Sequence, residues 1–171
     1  ALVALSAIGV VAGVVVGVVI VAFRLVTEKT LVVAGLMDDA EHFEALTWHW
    51  RLALPVAGGL LVGLMFQFAS VGARQVGPVH VMAQLASRAG RMPWRNALMQ
   101  FVGGAVSIVC GHSVGREGPV IHVGAASASL LGQWLRLPNN SIRTLVACGV
   151  AGAIAASFNT PIAGVVFAME V

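Results

Sequence analysis

Residues 115–119, with the sequence Gly-Arg-Glu-Gly-Pro, carry the clearest chemistry in the chain. Two glycines followed by Pro119 are typical of a helix start, because proline is tolerated in the first helical turn. The first amides of a helix have no intrahelical partner, and with about half a positive charge from the macrodipole they bind anions. Because no phosphate-binding lysine follows, the segment favours a bare small anion over a nucleotide.

Glu117 is the ionisable group in the best position to act on such an anion. A carboxylate surrounded by membrane costs about 2.5–3.5 kcal/mol or more, so one that lies within an apolar region is usually functional. Its charge can occupy the anion site as a tethered competitor, and protonation removes that charge, which links anion entry to proton uptake. The alternative is an N-terminal capping acid that pairs with Arg116.

The composition indicates that these residues lie in an integral membrane protein. Of the 171 residues 58% are hydrophobic and 10% are charged, against about 25% charged in soluble domains, and the mean hydropathy is +0.92. Charges are absent from residues 1–23, 52–73, 96–115, 118–135 and 144–169. The first three windows and the last are long enough to cross a bilayer, which takes about 20 residues. Because the apolar runs are continuous rather than alternating, helices are favoured over barrel strands.

The charges of the chain indicate membrane topology rather than a nucleic-acid partner. The net charge is +3, but the basic residues flank apolar runs and form no patch with interleaved aromatic residues, so nucleic-acid binding is not expected. By the positive-inside rule, the cluster of Arg88, Arg91 and Arg95 is cytoplasmic, which places the acidic segment 38–44 outside.

Glycines and prolines divide the chain into predicted helices. The predicted helices cover about residues 1–35, 51–70, 77–89, 93–111, 117–137 and 141–157, and a last one begins at Pro161. Residues 111–115 and 158–161 break the apolar runs, and helices that break inside the membrane are common in transporters because the broken ends can face an ion. Small residues at four-residue spacing predict two close-packing faces, Gly9/Gly13/Gly17 and Gly59/Gly63.

Two motifs resemble the CLC chloride channel and transporter family. One is residues 115–119 after a glycine-rich helix, and the other is residues 158–170, Phe-Asn-Thr-Pro-Ile-Ala-Gly-Val-Val-Phe-Ala-Met-Glu, about 40 positions later, as in that family. The resemblance covers about residues 77–171, whereas residues 1–73 fit the family's first two long helices by hydropathy.

This resemblance implies an all-α membrane fold of two inverted halves, with broken helices that meet in the middle of the membrane and hold the anion between the halves. Residues 1–171 are expected to be the first half of that transmembrane domain, which alone should not conduct. The family further implies a homodimer with separate pores, a multi-pass location in a bacterial inner or plasma membrane, no cofactor and no enzymatic activity.

The resemblance also assigns roles to residues. It implies that Glu117 is the gating glutamate and that the amides of Arg116, Glu117 and Gly118 hold the anion. Gln75, Val76 and Gly77 match a second anion-binding segment, in which Gln75 replaces a serine that donates to the anion. The residues expected to shape the motifs are Gly115, Pro119, Asn159, Pro161 and Gly164.

The position of Val171 bears on mechanism. Proton-coupled exchangers of the family carry a second glutamate there, and valine cannot pass a proton. The sequence therefore favours a passive channel for chloride or a similar small anion, with a proton-coupled antiporter that uses another proton route as the alternative. Glu170 is interpreted as structural.

Three rival interpretations use other residues. The Gly-His-Ser-Val-Gly sequence at 111–115 matches the nucleophile elbow of serine hydrolases, which requires a strand before it. His80, His112 and His122 lack metal-ligand spacing, so we expect hydrogen-bonded interior side chains and no metal, with His80 and His112 near the pore. A membrane scaffold without transport would leave Glu117 unexplained.

Overall fold

The computed structural model describes residues 2–33 and 46–170. The acidic segment 38–44 and Val171 lie outside the described residues. The helices are α1 (Leu2–Val33), α2 (Trp48–Phe68), a 3₁₀ turn (Val71–Arg74), α3 (Pro78–Ser87), α4 (Trp94–Val109), α5 (Glu117–Trp134), α6 (Asn139–Phe158) and α7 (Pro161–Glu170). The expected all-α fold is confirmed.

Three of the helices are long and apolar enough to cross a membrane, namely α1, α2 and α6. Two of the predicted spanning windows therefore hold, in α1 and α2. The third window contains α4, which has 16 residues, fewer than the roughly 20 that a span needs. The fourth window is divided between α6 and α7. The charge-free windows predicted more membrane-spanning helices than the structure has in these places, because glycine and proline end the helices before the windows end.

The predicted breaks are confirmed. Helix α4 ends at Val109 and α5 begins at Glu117, so residues 110–116 form a turn inside an apolar region. Helix α6 ends at Phe158, its C-cap residue Asn159 has a left-handed φ of 55°, and α7 starts at Pro161. An asparagine tolerates this conformation better than most residues, and proline suits the first position of a helix.

Helix α5 forms the centre of the described structure and packs on α6 and α1. A Cβ on Gly149 of α6 would lie 2.6 Å from the carbonyl oxygen of Gly124 on α5, so the two backbones touch where the helices cross. Helix α1 covers this crossing with Ala12, Val16 and Ile20, which are fully buried. Close packing of small residues replaces the hydrophobic drive that is absent between helices in lipid.

The two predicted glycine faces hold only in part. A Cβ on Gly152 of α6 would lie 3.9 Å from Cα of Gly13, and a Cβ on Gly59 would lie 3.5 Å from Nε2 of His112, whereas a Cβ on Gly63 would meet no atom within 4 Å. A Cβ on Gly9, Gly13 or Gly17 would meet no other atom within 4 Å, because the buried face of α1 runs through Ala12 and Val16 instead. In α2 the tight position is Gly58, where a Cβ would overlap Cys110. Spacing shows which residues share a face, but the neighbouring helix decides which face is packed.

Candidate functional site

The amino end of α5 is built as an anion-accepting helix start. Arg116 is the N-cap residue, and no side chain caps this end of the helix. Glu117 and Gly118 begin the helix, and Pro119 is buried against Gly104 of α4, where a Cβ would lie 2.9 Å from the proline ring. The first amides of the helix are therefore available to a ligand, and the positive end of the macrodipole points at it.

The segment before α3 is fixed by a side chain that sequence reasoning missed. Asn96 of α4, only 1% exposed, donates from Nδ2 to the carbonyl oxygens of Gly72 and Gln75, both at 2.7 Å. Gly77 then caps α3 with φ of 86°, a conformation that favours glycine. The sequence feature that could have indicated this contact is a polar residue, Asn96, within an apolar helix.

The structure brings the two sequence-predicted anion segments together. A Cβ on Gly118 would lie 3.8 Å from Cδ of Pro78, the first residue of α3. The amino ends of α3 and α5 therefore meet, and residues 75–77 lead into one while residues 116–118 open the other. Two positive helix ends that converge on one place suit a small anion better than either end alone.

The Glu117 carboxylate lies over the backbone of its own motif. A Cβ on Gly115 would overlap Oε2 of Glu117, so a larger residue at position 115 would force the carboxylate to move. Arg116 pairs instead with Glu28 of α1, Nη1 to Oε1 at 3.2 Å. The alternative in which Glu117 is a capping acid paired with Arg116 is therefore wrong, and among the described residues Glu117 has no ion-pair partner.

A cleft of about 400 Å³ extends from Glu117 between α2, α4 and α5. It is lined by Val62, Phe66, Met99, Gln100, Gly103, Gly104, Ser107, Val114, Gly115, Glu117, Gly118 and Pro119. Gln100 is 9% exposed, and its Oε1 is buried without a hydrogen-bond partner among the described residues. The cleft is large enough to admit a hydrated small anion or the side chain of Glu117.

His80 and His122 form a buried polar pair close to the place where α3 and α5 meet. His80 Nδ1 lies 2.9 Å from His122 Nε2, and Gln84 Nε2 lies 2.9 Å from His80 Nε2. The expectation of hydrogen-bonded interior histidines is confirmed for both. His80 also lines a second cleft that contains Gln75.

His112 belongs to the turn between α4 and α5. Its Nδ1–H donates to the carbonyl oxygen of Ser107 at 3.1 Å, and its ring lies against Gly58 and Gly59. In the described part of the chain, histidine, cysteine and acidic residues form no cluster of three that could hold a metal.

The turn that contains His112 does not have the geometry of a hydrolase nucleophile elbow. The elbow needs a strand before the serine, and Ser113 follows helix α4 instead.

The second motif forms the junction of α6 and α7. Asn159 supplies the left-handed end of α6, and Pro161 starts α7. A Cβ on Gly164 would lie 2.5 Å from the carbonyl oxygen of Ala151, so α7 packs directly against the backbone of α6.

Comparison with known proteins places this arrangement in a family. The family model described as voltage-gated chloride channel matches residues 58–171. A protein of Ralstonia nicotianae that is named as a ClcB-like chloride channel protein is 39% identical over 141 residues. The match covers 80% of this chain and 32% of that protein. The H⁺/Cl⁻ exchange transporter ClcA of Vibrio cholerae is 38% identical over 78 residues, 45% of this chain and 17% of that one.

A solved structure extends the likeness over the first two helices. The crystal structure of a CLC-type fluoride/proton antiporter superposes with a TM-score of 0.76 at 29% identity and covers 99% of this chain and 40% of the antiporter chain. In the comparison with the ClcB-like relative, the chain spans about a third of that protein's length. From the matched family model, the relatives and this fold, the chain belongs to the voltage-gated chloride channel (CLC) family of integral membrane proteins.

Proposed function

We propose that the chain forms part of a pathway for chloride or a similar small anion across the membrane, with Glu117 as the gate. The observation that carries the proposal is the meeting of the amino ends of α3 and α5 beside a carboxylate, Glu117, that has no ion-pair partner in the part of the chain that the structure describes. Transport rather than catalysis is the activity that this site supports, as in the relatives named for chloride transport.

The proposed mechanism uses charge competition. The amides of Arg116, Glu117 and Gly118, with Gln75, Val76 and Gly77 opposite, hold the anion at the positive helix ends. The ionised Glu117 carboxylate competes for the same positive region. When it is protonated, the carboxyl loses its charge and its attraction to the helix ends, so the anion can pass.

The whole protein is needed for conduction. We assign residues 1–171 to the first inverted-repeat half of a CLC-type transmembrane domain, and a second half would complete the pathway. The complete protein is proposed to be a homodimer in the lipid bilayer. The Ralstonia and Vibrio relatives support a bacterial membrane.

The test of the gate is Glu117→Gln in the complete protein, reconstituted in liposomes and assayed for chloride efflux. Glutamine resembles the protonated acid, so efflux at neutral pH should rise severalfold and its pH dependence should flatten. In the wild type, the rate of chloride efflux should rise by up to about tenfold for each pH unit of acidification, because a single carboxyl group takes up the proton.

Glu170→Gln is the matched control, because it removes a carboxyl that lies at the end of α7 and outside the Glu117 cleft. Its pH profile should match the wild type. An unaltered pH profile in Glu117→Gln would contradict the proposed gate.

Passive conduction and proton coupling remain to be separated by experiment. Val171 favours a passive channel, whereas the exchanger and antiporter relatives favour coupling. For a channel, the zero-current potential across a membrane with a proton gradient should follow the chloride gradient alone. A potential that moves with the proton gradient would assign the protein to the antiporters.

A further inference from the structure

Glu28, near the end of α1, holds the side chain of Arg116 at the entrance to α5. Its Oε1 accepts from Arg116 Nη1 and from Arg24 Nε, both at 3.2 Å. Arg24 also donates from Nη1 to the carbonyl oxygen of Ala156 at 3.5 Å, near the end of α6. This network therefore ties the amino end of α5 to α1 and α6.

We propose that Glu28 is a positioning residue for the gate, which keeps the Arg116 guanidinium away from the neighbouring Glu117 carboxylate. The inference rests on the proposed function. Arg116 and Glu117 are adjacent in sequence, yet the guanidinium is turned to Glu28, 88 positions earlier. Glu117 is the neighbour of Arg116 in sequence and has no ion-pair partner among the described residues, so a guanidinium released from Glu28 is expected to turn to it.

Whether Arg116 pairs with Glu28 or with Glu117 matters because of the other groups that surround Glu117. The side chains that α2 and α4 contribute to the cleft are uncharged, and α3 approaches the next residue, Gly118, with the uncharged Pro78. His112, the titratable residue of the preceding turn, is turned toward Ser107 and α2. The charged groups that ion pairs link to this helix end in the described part of the chain are Arg116, Glu28 and Arg24. The titratable side chains of α3 and α5 beside it are His80 and His122, which hydrogen-bond to each other.

The geometry fixes the sign of the expected effect. A guanidinium that is freed to pair with Glu117 favours the ionised carboxylate, so a lower pH is needed to protonate the gate. Both side chains are partly exposed, 48% for Arg116 and 29% for Glu28. Solvent screening should therefore limit the effect to a shift of the pH profile, without loss of transport.

The experiment uses Glu28→Gln in the complete protein, with chloride efflux from liposomes measured across a pH series. The pH of half-maximal efflux should fall by roughly half a unit to one unit. Glu28→Asp, whose shorter side chain cannot reach both arginines, should give a smaller fall in the same direction. A midpoint that stays at the wild-type pH in both variants would overturn the proposal.

The control is the same substitution made in an Arg116→Gln background. If Glu28 acts through the guanidinium, Glu28→Gln should then leave the midpoint unmoved, and an equal shift there would also overturn the proposal. Glu117→Gln separates this inference from the proposed function. If Glu117→Gln abolishes the pH dependence while Glu28→Gln moves nothing, the gate stands and only the role of Glu28 is lost.

Discussion

At the scale of single residues, the proposed gate depends on contacts that keep one carboxylate available. Glu117 folds back over Gly115, where any side chain would overlap it. Glu28 accepts a hydrogen bond from Arg116, and Glu117 has no ion-pair partner among the described residues. Local spacing predicted the helix start within residues 115–119, which the structure confirms. It could not predict the Glu28 contact, because nothing local relates residues 88 positions apart.

The His80–His122 pair has a defined order of donors and acceptors. With Gln84 Nε2 as donor, His80 accepts at Nε2 and carries its proton on Nδ1, which donates to Nε2 of His122. His122 then carries its proton on Nδ1, which is buried without a partner among the described residues. Both imidazoles are neutral in this arrangement, which suits their place beside two positive helix ends.

His122→Leu should destabilise the complete protein by about 1–3 kcal/mol, because it leaves the buried His80 Nδ1–H without an acceptor. The double variant His80→Leu/His122→Leu should cost less than the sum of the two single variants, since both partners are then removed together. Unfolding in detergent, followed by thermal or denaturant melts, measures both. If the stability losses of the two single variants add up to that of the double variant, the two rings do not interact.

At the scale of helices, backbone contacts between small residues set the arrangement. The crossing of α5 and α6 at Gly124 and Gly149 fixes where the amino end of α5 lies. Predicted helix boundaries agreed well with the structure, because glycine and proline act locally to end helices. The predicted glycine faces agreed only in part, because the partner helix determines which positions of a face are packed.

Gly149→Ala and Gly152→Ala form a matched test of the crossing, on the same helix three residues apart. A Cβ on Gly149 would lie 2.5 Å from Ala128 Cβ, which requires the helices to shift, whereas a Cβ on Gly152 would make an ordinary contact at 3.8 Å with Val16. Gly149→Ala should lower stability by about 1–3 kcal/mol. Gly152→Ala should be neutral or stabilising, because alanine favours the helix.

Melting temperatures of the two variants in detergent compare them directly. Equal melting temperatures would contradict the close approach at Gly149. A lower efflux from Gly149→Ala in liposomes would further show that the crossing positions the amino end of α5.

At the scale of the whole molecule, the described helices present apolar faces and a polar meeting point of helix ends. Exposed large hydrophobic residues cover α1 and α2, as expected where lipid or other helices contact them. The charge-poor composition predicted this exterior. The CLC-like helical fold followed from the family resemblance and is confirmed by the likeness to the antiporter structure. Hydropathy alone gives no helix-to-helix contacts.

The most direct measurement is the position of bromide in crystals of the complete protein, located by its anomalous scattering. We expect a bromide peak where Gly118 and Pro78 meet, with higher occupancy in Glu117→Gln than in the wild type, because the variant removes the competing charge. Bromide bound elsewhere, with none at this meeting point in either protein, would contradict the account.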